Sequence, residues 1–302
     1  MLKIIIDFDG TLTAEEKQAR ALAERSLGTL ANEIIHVPRE ELVQAYDATQ
    51  ARLLEAPHQY WWEVNGLVAS YCDEGAFILN TTTLQVMLRE NGTYSQAVEA
   101  AFPDAEYDPV VDCTNYLFHR HTAELAPIFR PAARQVLKVL TEQRNREPVI
   151  LTNSLGDKVR RHLNTLDLEE EVDILGDTRQ YEMDRDWDRR FSHPEQGDIQ
   201  VWQLSETRQV DLRRPAYYHA LVDALKRDPE IAVVADTFSL PGALPLMMGL
   251  SFILVRTRYT PDWCSRVVEV HPDGVVLEEL GHLPRKLDAI SRRTRGCGRA
   301  AR

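Results

Sequence analysis

The chain has 302 residues, of which 44% are hydrophobic and 27% are charged, so a sizeable core is available and global disorder is excluded. This length is typical of one large domain or of two ordinary ones. The formal net charge of −12 argues against a general nucleic-acid-binding protein, because such proteins use positive charge to displace counterions from phosphates.

The first predicted element is a buried strand, Leu2 to Phe8, a short β-branched run that ends at an Asp-Gly turn. Only three isoleucines precede Asp7, too few for the apolar region of a signal peptide, and no later stretch is long enough to span a bilayer. The four cysteines are scattered, without the spacing of a zinc site or a disulfide framework, which favours free thiols. Together these features predict a soluble, cytoplasmic chain with no membrane partner.

Residues 14–126 carry long amphipathic helical patterns, for example from Glu15 to Ala31, where apolar side chains recur at helical spacing. No strong period-two alternation indicates a strand in this block. We therefore predict a helical cap domain inserted after the first strand. Within it, Tyr60-Trp61-Trp62 is predicted to pack between helices, and the alternative is that it lines a substrate pocket.

After Pro131, short apolar strands alternate with helices, which is typical of right-handed crossovers and a mostly parallel sheet. The predicted strands are 148–152, 172–175, 231–235 and 251–256, and the helices include 156–166 and 216–226. The fold class is therefore predicted as α/β, with a Rossmann-like parallel sheet core and a helical cap. The predicted core is 1–13 with 127–302, the cap is 14–126, an insertion with hairpin strands at 199–204 and 207–212 spans 179–211, and a disordered tail covers 292–302.

The strongest chemical signal is Asp7-Phe8-Asp9-Gly10-Thr11, directly after the first strand. Two carboxylates at i and i+2 can point into one crevice once the chain turns, and Gly10 permits that turn. Such a pair suits a division of labour in which one carboxylate attacks while the other handles protons. The alternative is an acidic turn with a threonine as helix N-cap.

This stretch resembles the first motif of the haloacid dehalogenase (HAD) superfamily, in which an apolar strand ends in Asp-x-Asp-Gly-Thr. The second motif of that superfamily, an apolar strand ending in Thr or Ser, is similar to the run Val149 to Ser154. The resemblance implies that Thr152 binds phosphate oxygens and that Asn153 offers a second donor.

The third and fourth motifs of the superfamily depart from its pattern here. The third should supply a lysine before a helix, but this sequence has Arg214 followed by proline, so either Arg214 or Lys158 would supply the phosphate-binding cation. The fourth should end a strand with Asp and add a second acid. Asp236 fits the first acid, whereas Leu240 or Pro241 replaces the second. The run containing Asp173 and Asp177, with Glu182 as second acid, is a lower-ranked rival.

The resemblance implies a Mg²⁺-dependent phosphatase of a small phosphorylated metabolite that works through an aspartyl-phosphate. Asp7 would be the nucleophile, Asp9 the proton carrier, and Asp7, the backbone carbonyl of Asp9 and Asp236 would hold the metal. The presence of Asp9 favours phosphate chemistry over dehalogenation. Two alternatives stay open: a non-catalytic binding or regulatory protein on the same scaffold, and a phosphotransferase or mutase.

Overall fold

The computed structural model describes residues 1–168, 171–228 and 230–297. Its helices and strands, in chain order, are β1 (Leu2–Ile6), α1 (Ala19–Thr29), α2 (Arg39–Glu55), β2 (Trp61–Val64), β3 (Leu67–Tyr71), α3 (Ala76–Glu90), α4 (Gly92–Ala101), α5 (Pro109–Glu124), α6 (Ala133–Thr141), β4 (Arg146–Leu151), α7 (Gly156–Asn164), β5 (Asp173–Leu175), β6 (Phe191–His193), β7 (Gly197–Ile199), β8 (Val201–Gln203), β9 (Gln209–Asp211), α8 (Pro215–Arg227), β10 (Glu230–Ala235), α9 (Ala243–Met247), β11 (Ser251–Val255), α10 (Asp262–Val270), β12 (Gly274–Leu277) and α11 (Leu283–Cys297).

Six strands form a parallel sheet in the order β12-β11-β10-β1-β4-β5, which confirms the predicted α/β class and its Rossmann-like core. All five residues of β1 are buried because both faces of the sheet are covered. Side chains of a strand alternate between its faces, so Ile4 and Ile6 join one hydrophobic core and Ile5 joins the other.

The register of the central strands sets the position of the functional residues. Ile6 lies opposite Val234 of β10 and Ile150 of β4, so these three parallel strands end at the same level. The residues that follow them therefore meet at the carboxyl edge of the sheet, which is where open parallel sheets bind ligands.

The cap between β1 and α6 contains five helices with a hydrophobic core of their own. It is not purely helical, because β2 and β3 form an antiparallel hairpin that the sequence analysis did not predict. The turn between them is Asn65-Gly66, and both residues have positive φ, 53° and 70°. Asn-Gly is the preferred dipeptide of a two-residue hairpin turn, so the signal was present in the sequence.

Two further segments differ in detail from the expectations. The insertion contains two hairpins, β6–β7 and β8–β9, of which only the second was expected. Helix α11 continues to Cys297, into the tail that was expected to be disordered, and residues 298–302 lie outside the described part.

Cys72, Cys113 and Cys264 are free, buried thiols. No helix within the described ranges combines the length and apolarity that crossing a membrane requires.

Candidate active site

A cavity of about 110 Å³ lies at the carboxyl edge of the sheet, under the cap. Five of the residues singled out in the sequence line it: Asp7, Asp9, Thr152, Asn153 and Asp236. Each follows the end of one of the three central strands, β1, β4 or β10. The parallel register therefore brings together residues that are more than 200 positions apart in the chain.

Asp7 and Asp236 approach each other around the hydroxyl of Thr11. Thr11 Oγ1 lies 3.1 Å from Asp236 Oδ1 and 3.5 Å from Asp7 Oδ2, and it accepts a hydrogen bond from the backbone N–H of Asp236. Gly10 has a φ of +80°, and a Cβ there would come within 2.1 Å of Asp236 Oδ2. A side chain at position 10 would thus displace Asp236, which explains the glycine in this motif.

The carboxylates of this pair are buried without a matching number of positive neighbours. Burial raises the pKa of Asp7 well above its usual range, and the charges of Asp236 and Asp9 raise it further. Burial also raises the pKa of Asp236 to about 7, against the lowering effects of Arg130 and Thr11. Two acids this reluctant to ionise, side by side, are the donor set that a divalent cation would stabilise.

Asp9 has different partners. Ser154 Oγ donates a short hydrogen bond to Asp9 Oδ2, and Lys158 Nζ lies 3.2 Å from Oδ1 and 3.3 Å from Oδ2. Lys158 also donates to Ser154 Oγ at 2.8 Å and is itself almost fully buried. Of the two basic residues predicted to supply a cation, Lys158 is therefore the one placed beside the site. The sequence analysis assigned no role to Ser154.

Thr152 and Asn153 form the wall contributed by the end of β4. Thr152 Oγ1 accepts a hydrogen bond from the backbone N–H of Ser154 at 3.2 Å, and its own hydrogen points to no protein acceptor among the hydrogen bonds of the described chain. Asn153 Oδ1 accepts from the backbone N–H of Gln180 at 2.7 Å, which fixes the amide and leaves its NH₂ group for a ligand. Both residues can donate to an anion in the cavity.

Arg214 is not placed as predicted. Its guanidinium is buried and donates to three backbone carbonyls, those of Asp211 (3.1 Å), Gln180 (3.3 Å) and Ala69 (2.8 Å), and the residue does not line the cavity. Burial lowers the pKa of Arg214 to about 10. The arginine thus joins the cap strand β3 to the insertion, and the expectation that it clamps phosphate is replaced by a structural role.

The rival fourth motif also lies elsewhere. Asp177 is exposed and pairs with Arg179, and Glu182 accepts hydrogen bonds from Tyr107 and Arg179, so neither carboxylate lines the cavity. Leu240, which stands where the superfamily has an acid, does line it.

A fourth carboxylate, Glu15, lines the same cavity and was not predicted as a site residue. Its Oε1 accepts hydrogen bonds from the backbone N–H groups of Ala76 and Phe77, at the start of α3. Burial raises the pKa of Glu15 well above its usual range, and the charge of Asp236 raises it further. The only local signal for this position was a glutamate in an apolar helical pattern, which is too common to be informative.

The described part of the chain contains no group of three or more His, Cys, Asp and Glu side chains arranged to hold a metal ion. The set that the resemblance implied needs fewer, because it consists of two carboxylates and one backbone carbonyl. Magnesium usually takes one or two carboxylates from a protein and keeps several water ligands. Asp7 and Asp236, around one hydroxyl, fit that requirement.

The cap closes the other side of the cavity. Seven of its side chains, which we call the cap wall, line the cavity: Trp62, Phe77, Ile78, Thr81, Asn115, Phe118 and His119. Of the aromatic run Tyr60-Trp61-Trp62, only Trp62 lines this cavity, and it lies on the strand β2. The other six recur at helical spacing on α3 and α5, a pattern that the sequence shows but that does not reveal which face meets a ligand.

Three observations now stand together: the parallel strand order, the cap inserted after β1, and the Asp-x-Asp-Gly-Thr run at the end of β1, facing Asp236. The fold is haloacid dehalogenase-like. No family model matches this chain, and no curated protein does.

Solved structures of low similarity include YfnB from Bacillus subtilis, a candidate HAD-hydrolase bound to magnesium (13% identity, TM-score 0.49, 94% of this chain and 97% of that one). Others are the haloacid dehalogenase-like hydrolase SP0104 from Streptococcus pneumoniae (13%, 0.48, 94% and 97%) and a 2-haloacid dehalogenase from Pseudomonas syringae (14%, 0.45, 96% and 99%). At these identities and TM-scores the likeness carries no argument about activity, so the site itself has to supply it.

Proposed function

We propose that this chain is a magnesium-dependent phosphatase that hydrolyses a small phosphate monoester through an aspartyl-phosphate on Asp7. The observation that carries the proposal is the charge of the cavity. Four carboxylates line it (Asp7, Asp9, Glu15 and Asp236), and no lysine or arginine is among its described lining residues. When Asp7 and Asp236 are ionised, as the reaction requires of Asp7, a phosphate dianion can enter such a site only together with a cation, because the Coulomb repulsion between neighbouring charges of one sign is large.

Asp7, Asp236 and the backbone carbonyl of Asp9 would hold this cation. Bound there, Mg²⁺ supplies the positive charge that lets a carboxylate and a phosphate dianion approach each other. The residues fit the ion because Asp7 and Asp236 are carboxylate donors placed around one hydroxyl, and the charges of Asp236 and Asp9 raise the pKa of Asp7. Arg130, which donates to the carbonyl of Gly10 and pairs with Glu16, fixes the loop that carries them.

The chain's own residues account for the two chemical steps. A carboxylate oxygen of Asp7 attacks phosphorus in line, the phosphorus–oxygen bond to the leaving group breaks, and Asp9 gives its proton to the leaving oxygen. In the second step Asp9 takes a proton from water as that water attacks phosphorus, and Asp7 leaves with inorganic phosphate as the other product. Asp9 suits this role because it faces the cavity beside Asp7 but is oriented by Ser154 and Lys158.

Donors for the remaining phosphoryl oxygens come from the end of β4 and the start of α7. Thr152 and Asn153 each have an uncommitted donor facing the cavity, and Lys158 lies directly behind Asp9. An entering phosphate competes with Asp9 for the Lys158 ammonium. We also propose that the protein works in the cytoplasm on a soluble substrate, without a nucleic-acid or membrane partner, in keeping with its net charge of −12.

The test is release of phosphate from 4-nitrophenyl phosphate. We expect release to require Mg²⁺ and to stop with EDTA. Asp7→Asn should lower kcat/KM at least about a thousand-fold, because it removes the nucleophile, without lowering the melting temperature. Asp177→Asn is the matched control, since it makes the same change on an exposed carboxylate of the rival motif. Equal rates for wild type and Asp7→Asn would contradict the proposal.

The non-catalytic binding protein is the second candidate, and one observation favours it: Leu240 lines the cavity where the superfamily has a second acid. Beryllofluoride with Mg²⁺ separates the two functions, because it mimics a phosphoryl group on a carboxylate. A phosphatase should bind it tightly through Asp7 and lose this binding in Asp7→Asn. A protein that binds Mg²⁺ and phosphate but not beryllofluoride belongs to the second class.

A further inference from the structure

The cap wall differs in chemistry from the rest of the cavity. Three of its side chains are aromatic rings that take part in two close ring pairs. The ring of Trp62 lies 5.3 Å from that of Tyr181, which belongs to the insertion, and the ring of Phe77 lies 5.7 Å from that of Phe118. Together with Ile78 they give the cavity apolar, flat surfaces next to the site of the phosphorus.

The cap wall contains four polar groups that can bond to a ligand. The indole Nε1–H of Trp62 is buried and has no acceptor within residues 1–168, 171–228 and 230–297, and a buried donor without an acceptor costs about 1–3 kcal/mol. Thr81, Asn115 and His119 are partly exposed, line the cavity and form no side-chain hydrogen bond within those ranges, so their polar atoms are accessible to a ligand.

The cap wall carries no formal charge. None of its seven side chains is acidic or basic apart from His119, and burial and then the charge of Lys158 lower the pKa of that imidazole, which keeps it neutral. The carboxylate of Glu15 caps α3 at Phe77, beside this wall. The Lys158 ammonium lies 5.6 Å from the centre of the Phe118 ring, but it is paired with Asp9, and no lysine or arginine is among the described lining residues. A second negative charge on a substrate would therefore find no unpaired cation in the cavity lining.

From this geometry, and resting on the phosphatase proposed above, we infer that the cap wall selects esters whose leaving group is compact, uncharged and aromatic. The flat faces of the group would lie between the aromatic pairs, and hydroxyl, carbonyl or ring-nitrogen groups on its edge would bond to Thr81, Asn115, His119 and Trp62. The two aromatic pairs offer flat faces of the size of one ring. Carboxylated and bisphosphorylated esters are disfavoured by charge.

The first measurement compares phenyl phosphate with 4-carboxyphenyl phosphate. The two esters share a ring and a reacting centre, and they differ by one negative charge at the end that faces the cap wall. We expect kcat/KM to be at least 20-fold higher for phenyl phosphate. Equal values, or a preference for the carboxylated ester, would overturn the inference and leave the phosphatase proposal intact.

A charge variant tests whether the cap wall is the cause. Asn115→Lys places an ammonium in the wall and should shift the ratio of kcat/KM values at least tenfold towards the carboxylated ester. Asn32→Lys is the matched control, because Asn32 is exposed and does not line the cavity, and it should leave the ratio unchanged. An unchanged ratio in a folded Asn115→Lys contradicts the inference, and if that variant does not fold, the wild-type ratio decides.

Binding separates failure of this inference from failure of the proposed activity. Calorimetry with Asp7→Asn and Mg²⁺ measures the affinity of both esters without turnover. If neither ester is hydrolysed by wild type but phenyl phosphate binds at least tenfold more tightly, the selectivity stands and the activity falls. If both bind equally, or if neither binds and wild type shows no preference for phenyl phosphate, the selectivity is wrong.

Discussion

Two buried carboxylate regions in this molecule contrast sharply. Glu74, at the end of β3, is fully buried and accepts hydrogen bonds from Ser70 Oγ, from the backbone N–H of Tyr71, and from the backbone N–H groups of Phe238 and Ser239. Burial raises its pKa, but these hydrogen bonds oppose the rise. Both oxygens are satisfied by the protein, and they join the cap to the loop that follows Asp236.

Asp7 and Asp236 have fewer such donors than Glu74. The backbone N–H of Phe8 lowers the pKa of Asp7, whereas burial and then the charges of Asp236 and Asp9 raise it. The comparison teaches that burial of a carboxylate does not by itself indicate function. A buried carboxylate whose lone pairs are filled by the protein holds the fold together, whereas a group of carboxylates with lone pairs left over is arranged for a ligand.

The largest expected effect on stability comes from a substitution of Glu74, whose two carboxylate oxygens both accept hydrogen bonds. Glu74→Gln replaces one acceptor oxygen by an NH₂ group facing backbone donors. We expect it to lower the free energy of unfolding by about 2–4 kcal/mol, because two buried N–H groups lose their acceptor. Urea unfolding measures this, with Glu55→Gln on the exposed end of α2 as the matched control. If both variants match wild type, Glu74 does not fix the cap.

The next prediction is that Asp236→Asn raises the free energy of unfolding, by an amount that depends on pH. The pKa of Asp236 is raised to about 7 in the folded protein, so its contribution to stability is present in acid and is lost as pH rises from about 4 to about 7. In EDTA, the stability of Asp236→Asn relative to wild type should rise by about 1.4 kcal/mol for each pH unit from pH 5 to 7 and level off above that.

Urea unfolding at pH 5, 6, 7 and 8 tests this, with Asp177→Asn expected to show no such trend because that carboxylate is exposed. Saturating Mg²⁺ should remove the advantage of Asp236→Asn, because the cation stabilises only the wild-type carboxylate. A difference that is constant across pH would mean that Asp236 is ionised in the metal-free protein, and the contrast with Glu74 would disappear.

The fold and the centre of the site were predictable because their signals are local. The strand β1 and the run Asp7 to Thr11 follow one another directly, and parallel strands bring their carboxyl ends together whatever the length of the connections. Asp236 could be placed for the same reason. The β2–β3 hairpin also had a local signal, the turn Asn65-Gly66. The hairpin was not predicted because the surrounding sequence has the periodicity of helices.

Glu15 and the two basic residues show what a sequence pattern does not contain. Glu15 reaches the cavity because α3, which begins 61 residues later, presents its first N–H groups to it. Arg214, at the position of the third motif, and Lys158, in the helix after Thr152, were both candidates for the phosphate-binding cation. The structure excludes Arg214 from the phosphate site, because its guanidinium donates a hydrogen bond to the backbone carbonyl of Ala69 on β3.

The smallest expected effects are those of substitutions of Lys158 and Arg214 on phosphate binding and on the melting temperature. Lys158→Met removes the ammonium beside Asp9 and should weaken binding of inorganic phosphate, measured by calorimetry with Mg²⁺, about tenfold, or about 1.4 kcal/mol. Arg214→Lys should lower the melting temperature, because an ammonium cannot reach three carbonyls in the geometry of a guanidinium, yet leave phosphate affinity unchanged. If instead Arg214→Lys weakened phosphate binding and Lys158→Met did not, the phosphate would lie beside Arg214. Arg214 would then belong to the binding site, and Lys158 would have a structural role.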